Sequence, residues 1–141
     1  MKKHTKDTFE GVLKDYEGKV KVVHKNYPLP FHKAAKPAAH AALAAQEQGK
    51  FWEIYDLMFS NQKKLGQDGI YTKWAEQLGL NVEKFKTDMK NVPESEIQED
   101  MKMGKGVGVK GTPAFFINGK RLVGAQPYNK FKSIIDKELG N

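Results

Sequence analysis

The sequence predicts an α/β fold in which a block of helices sits between a leading helix and strand and a closing hairpin and helix. Three observations carry that expectation. Apolar residues recur at helical spacing through the first, middle and last parts of the chain. The turn Gly111-Thr112-Pro113 runs into the apolar stretch Ala114-Phe115-Phe116-Ile117 and then Asn118-Gly119. The 141 residues contain no cysteine. Their length fits one domain, 1–141, able to bury roughly two thirds of its surface, and two Trp, five Tyr and eight Phe can build a core.

Phe9, Val12, Leu13 and Tyr16 fall on one helical face, so a first amphipathic helix is expected over about 3–16, ended near Gly18. Val20 to Tyr27 alternates well enough for a strand, stopped by Pro28-Leu29-Pro30. Lys33 to Gln48 reads as an alanine-rich helix whose small faces permit close packing. After Gly49 a second helix starts at Phe51, with an aromatic stripe that suits a core. Gly66 to Gly69 is expected as a loop, with short helices over about 71–78 and 82–89. Pro93 is suited to a first helical turn and opens a further helix to about Met103. The glycine-rich stretch Gly104 to Gly108 follows, then the hairpin, and a last helix over about 128–139.

The hairpin segment carries the strongest signal. Asn118-Gly119 is the preferred pair for a tight type I′ turn, and Lys120-Arg121-Leu122-Val123 reads as the returning strand, stopped by Gly124. Proline is the residue for which a cis peptide bond is least costly, about 0.5–1 kcal/mol above trans. Gly111 before it tolerates unusual backbone angles. An ordinary trans proline opening a strand is the alternative on the residues alone.

Composition narrows the function classes. The net charge of +7 invites a nucleic-acid reading. Of 24 basic residues, however, only Arg121 is arginine, whereas base and phosphate recognition favour the guanidinium fork. The lysines are spread among acids and read as a solvated surface, so no nucleic-acid partner is expected. No stretch approaches the ~20 apolar residues of a membrane span, and no apolar signal core follows Met1-Lys2-Lys3-His4.

Without cysteine there is no disulfide, thiolate metal site or thiol nucleophile in these residues. His4, His24, His32 and His40 lack the spacing and companions of a zinc site, so no metal or cofactor is expected. Glu94, Glu96, Glu99 and Asp100 read as a charged helix face rather than paired catalytic acids. Gly104-x-Gly106-x-Gly108 is not a dinucleotide fingerprint, because it follows a helix and precedes a strand.

The order of elements is the plan of a thioredoxin fold carrying a helical insertion, here about 33–103. Tyr16-Glu17-Gly18-Lys19-Val20, Asn26-Tyr27-Pro28-Leu29-Pro30-Phe31-His32, the alanine helix, Gly49-Lys50-Phe51-Trp52, Phe59-Ser60-Asn61-Gln62 and Gly108 to Gly119, taken in order, resemble the DsbA-like thiol-disulfide oxidoreductases of bacteria. The resemblance implies a cis Thr112-Pro113 bond and a loop of Gly111, Thr112 and Pro113 that binds an extended peptide or protein substrate. It also implies a Cys-x-x-Cys pair at the start of the first helix. Lys2 to Lys6 looks like the sequence that follows the second cysteine, with Met1 at or beside its place. The expectation is therefore a form that begins after the first, central strand and both catalytic cysteines, and so has no catalytic residue. A redox-silent peptide-binding or assembly module is the alternative. The family works outside the cytoplasm, but the chain as written carries no signal peptide and its compartment stays open.

Loss of a central strand would strip partners from two rows of backbone groups at once. Unpaired buried groups cost ~1–3 kcal/mol each, so something must replace that strand. Either the strands at Val20–Tyr27 and Ala114–Ile117 close up and pair directly, or a second copy supplies a strand or buries the exposed faces. The second is the expectation here, a homodimer.

Overall fold

The computed structural model describes residues 3–140. Its elements are α1 (Lys3–Asp15), α2 (Ala35–Gln46), α3 (Phe51–Ser60), a 3₁₀ turn at Gln62–Lys64, α4 (Ile70–Gln77), α5 (Val82–Lys90), α6 (Glu94–Gly106), β1 (Ala114–Ile117), β2 (Lys120–Val123) and α7 (Tyr128–Glu138). The described chain divides into two units. One is formed by the two ends of the chain, through His24 and from Val107, and the other by Lys25–Gly106.

The helical unit, α2 to α6, forms around small residues. Ala41, Ala42, Ala44 and Ala45 of α2 are all buried, with Ile54, Met58, Ile70, Tyr71, Trp74, Ala75 and Phe85 packed about them. Alanines on facing sides let neighbouring helices approach closely, which is what the two small faces of this segment encode. The end of α2 and the start of α5 are tied by a two-way bond. The Gln48 amide donates to the Asn81 carbonyl at 3.1 Å, and the Asn81 N–H donates to Gln48 Oε1 at 2.9 Å. Asn81 also caps α5, its side chain accepting from the Lys84 N–H at 2.9 Å. Asp100 on α6 holds the entering chain, accepting from the Asn26 N–H at 2.8 Å and pairing with Lys25 at 3.2 Å.

In the other unit, α1 and α7 pack on one face of the β1–β2 hairpin. Val12, Tyr16, Phe131 and Ile135 are buried there against Phe115, Ile117 and Leu122. Phe115 sits between Phe9 and Phe131, with ring centroids 5.5 and 4.8 Å away. Hydroxyl–carboxylate bonds stitch the two helices together. Tyr16 donates to Asp136 and Tyr128 to Asp15, both at 2.5 Å, and Lys132 joins Asp136 at 2.9 Å. Glu138 receives Lys120 and, at 3.3 Å, the Asn118 amide, and so ties α7 to the hairpin.

Two expectations are corrected. Val20–Tyr27 is not a strand: it runs without regular structure, and Val23 is 62% exposed. A strand exists only as one side of a ladder, and the one sheet among the described residues pairs β1 with β2 alone. Direct pairing of that segment with Ala114–Ile117 therefore does not occur. The stretch from Gly104 is not all loop either, because α6 continues to Gly106 and the chain turns left-handed only at Gly108, φ 80°. Each helical glycine costs about 1 kcal/mol against alanine, a cost that continuation of the backbone ladder offsets.

The stitching of the hairpin unit predicts its response to pH. The Tyr16 hydroxyl and Lys132 hold Asp136 below the usual carboxylate range, and Lys120 and Asn118 do the same for Glu138. A carboxylate depressed in the folded state stabilises above its unfolded value and loses that contribution as pH falls through the folded one. Melting by circular dichroism should therefore shift to lower temperature as pH drops from 6 towards 3, and Asp136→Asn should flatten the shift. At the other end, the bond to Asp15 and, less so, burial push Tyr128 up to about 12. Its contribution is present below the ordinary tyrosine value of 10.0 and is lost as pH rises through the raised one. Tyr128→Phe should remove that part of the alkaline loss.

Candidate functional site

The sequence-predicted site residues Gly111, Thr112 and Pro113 lie together on the loop that enters β1. The Thr112–Pro113 peptide bond is cis. Thr112 is exposed, while Gly111 and Pro113 are half-buried. Downstream the loop is fixed by the hairpin. The Pro113 carbonyl accepts from the Gly124 N–H at 2.9 Å, which continues the β1–β2 ladder by one pair. Upstream it is fixed by Arg121 of β2, whose guanidinium donates to the Gly108 carbonyl.

The turn chemistry sets this geometry. Asn118 and Gly119 both have positive φ, 47° and 82°, as a two-residue type I′ connection requires. The register that follows pairs Ile117 with Lys120, Phe116 with Arg121, Phe115 with Leu122 and Ala114 with Val123. Phe115, Ile117 and Leu122 turn into the core. Ala114, Phe116, Arg121 and Val123 share the other face, where Phe116 is 42% and Val123 54% exposed. Because hydrogen-bonded pairs alternate along an antiparallel ladder, the polar backbone groups of Ala114 and Phe116 point to the edge of β1 away from β2. No strand pairs with that edge among the described residues.

Gly111 is a glycine that its own chain does not need. Its φ lies outside the left-handed region, and a Cβ placed there would meet nothing within 4 Å. The angular freedom that glycine tolerates is not used in the left-handed region here, and open space lies at Gly111, next to Thr112. In the sequence Arg121 is the single arginine and part of the returning strand, and nothing local points to its bond to Gly108. A contact across 13 residues leaves no local signature, although the arginine fork is the side chain best shaped for holding a carbonyl. The place expected for the second cysteine, at or beside Met1, lies outside the described residues. Among the described residues, no three His, Asp or Glu side chains gather as a metal site would require, and no helix is long and apolar enough to cross a membrane.

A family model described as thioredoxin matches residues 3–137. The chain is 38% identical over 120 residues to a Na(+)/H(+) antiporter of Salinispora tropica, a match covering 84% of this chain and 18% of the antiporter. It is 31% identical over 133 residues to a probable disulfide bond formation protein D of Bacillus cereus, covering 87% of this chain and 60% of that protein. The chain thus spans less than a fifth of the one relative and three fifths of the other. Among solved structures, the thiol-disulfide exchange protein alpha-DsbA2 of Wolbachia pipientis superposes with a TM-score of 0.85 at 23% identity, over 97% of this chain and 76% of that one. The chain belongs to the thioredoxin family, and its fold is that of the DsbA-type thiol-disulfide oxidoreductases.

Proposed function

We propose that these 141 residues form the peptide-docking part of a DsbA-type fold and perform no thiol-disulfide exchange themselves. The observation that carries this reading is the loop Gly111-Thr112-Pro113, exposed at Thr112 and with open space at Gly111, in a chain without a cysteine. Exchange needs a thiolate to attack a disulfide sulfur and a second thiol to resolve the mixed disulfide. A methionine thioether has no ionisable proton and does neither. Docking needs less: exposed backbone groups at Thr112, and space for an extended peptide to lie against them by strand addition. The similar segment in the Salinispora tropica antiporter is part of that protein's own chain, so partners of this chain should also be sought at the membrane.

The chemistry is tested by insulin reduction with dithiothreitol, where the chain should leave the buffer rate unchanged. Any acceleration would refute the first half of the proposal. Docking is tested with a fluorescent, end-capped peptide of alternating valine and serine. Gly111→Ala should weaken its binding about fivefold or more, the scale of one lost hydrogen bond. Because this position is free of strain and contact in the chain, the same change should leave thermal stability equal or slightly higher. Unchanged binding, or a large fall in stability, would count against the loop as the docking site.

The unpaired edge of β1 supports a homodimer in which a second copy pairs along Ala114–Ile117. Light scattering at tens of micromolar is expected to give twice the chain mass. A folded monomer at that concentration would remove the dimer from the proposal.

A further inference from the structure

The positive charge of this protein is not spread evenly. The unit that carries the docking loop holds twelve of the 24 basic residues and six of the 17 acidic ones, leaving +6, whereas the helical unit Lys25–Gly106 holds twelve and eleven, leaving +1. The bias is strongest around the loop. From Val107 to Ile135 there is no Asp or Glu, against Lys110, Lys120, Arg121, Lys130 and Lys132. Two of these are neutralised by α7, Lys120 by Glu138 and Lys132 by Asp136. Lys110, next to Gly111, Arg121, which grips the loop at Gly108, and Lys130 of α7 form no ion pair with a carboxylate among the described residues, and the first two belong to the loop and the hairpin.

Arg121 is also placed on the exposed face of the hairpin. It stands opposite Phe116 in the register, with Val123 two residues on along the same face. One of its five N–H donors goes to the Gly108 carbonyl. That bond holds the planar fork at the loop, so its remaining donors can meet a carboxylate at reduced entropic cost. Phe116, Arg121 and Val123 share one face, so a docked strand presents every second side chain to it, and acidic residues at those positions would meet the guanidinium held at Gly108. Unpaired cations beside an apolar strip complement such a strand and repel a basic one.

We propose that the docking loop selects acidic extended peptides, with Lys110 and Arg121 meeting their carboxylates. This rests on the docking reading above and adds the substrate class to it. The test uses three end-capped peptides of equal length, in which valine alternates with glutamate, serine or lysine. In about 50 mM salt the glutamate peptide should bind roughly tenfold more tightly than the lysine peptide, with the serine peptide between them. At about 0.5 M salt the spread should shrink to within about twofold, because exposed charges are screened over a few ångströms there. Lys110→Gln and Arg121→Gln should each narrow the spread at low salt, and Lys110→Gln should do so without touching the bond that holds the loop. Gly111→Ala should weaken all three peptides alike.

Equal affinities for the three peptides, or a spread that neither charge variant narrows, would overturn the selection while leaving docking intact. If none of the peptides binds, both proposals fall. Duplex DNA that displaces the glutamate peptide at lower concentration than the free peptide itself would also overturn the proposal, since the patch would then be a site for polyanions in general.

Discussion

The turn at Asn118–Gly119 is the constraint on which the hairpin unit depends. Side chains alternate across a strand, so a slip of one residue in the β1–β2 register would turn every one of them to the other face. Phe115 would leave the aromatic contacts with Phe9 and Phe131, and Arg121 would point into the core instead of reaching Gly108. The Pro113–Gly124 bond that anchors the loop belongs to the same ladder. Two residues able to adopt positive φ thus determine where the loop begins, which way the single arginine points and which faces are left open.

Most of the helices were legible in the sequence because their signals are local. Apolar spacing, a closing glycine and an N-terminal proline lie within one or two turns of what they specify, and α1, α3, α5 and α7 fall within a few residues of their expected bounds. The hairpin was legible for the same reason. The failure at Val20–Tyr27 has the opposite cause: alternation shows that a segment could be a strand, but only a neighbour at pairing distance makes it one. At Gly104–Gly106 a weak local preference lost to extension of a helix already formed, which requires no new nucleation.

The site was half legible. Gly111, Thr112 and Pro113 stand next to one another, so their pattern could be read directly. The groups that hold the unit around them are joined across long separations: Tyr128 bonds Asp15, and Tyr16 bonds Asp136. No periodicity links such pairs, and each residue alone looks like ordinary surface. Gly111 shows a subtler limit. The sequence gives a reason to expect glycine before the proline, yet only the surrounding space distinguishes a glycine required by its own backbone from one that leaves room for another.

Charge shows how far a whole-chain number can mislead. A net +7 spread evenly would be a solubility feature, since exposed charges lose contact beyond about 8–10 Å in physiological salt. What matters at a binding loop is the charge within that distance after internal pairs have cancelled. Over its own length the helical unit carries nearly as many acids as bases. On the hairpin unit the α7 carboxylates pair with Lys120 and Lys132 as part of holding the fold, whereas Lys110 beside Gly111 and Arg121 of β2 pair with no carboxylate among the described residues. The acids that stabilise this unit therefore also decide which of its cations stay unpaired, and removing one of those acids would free a lysine as well as loosen the fold.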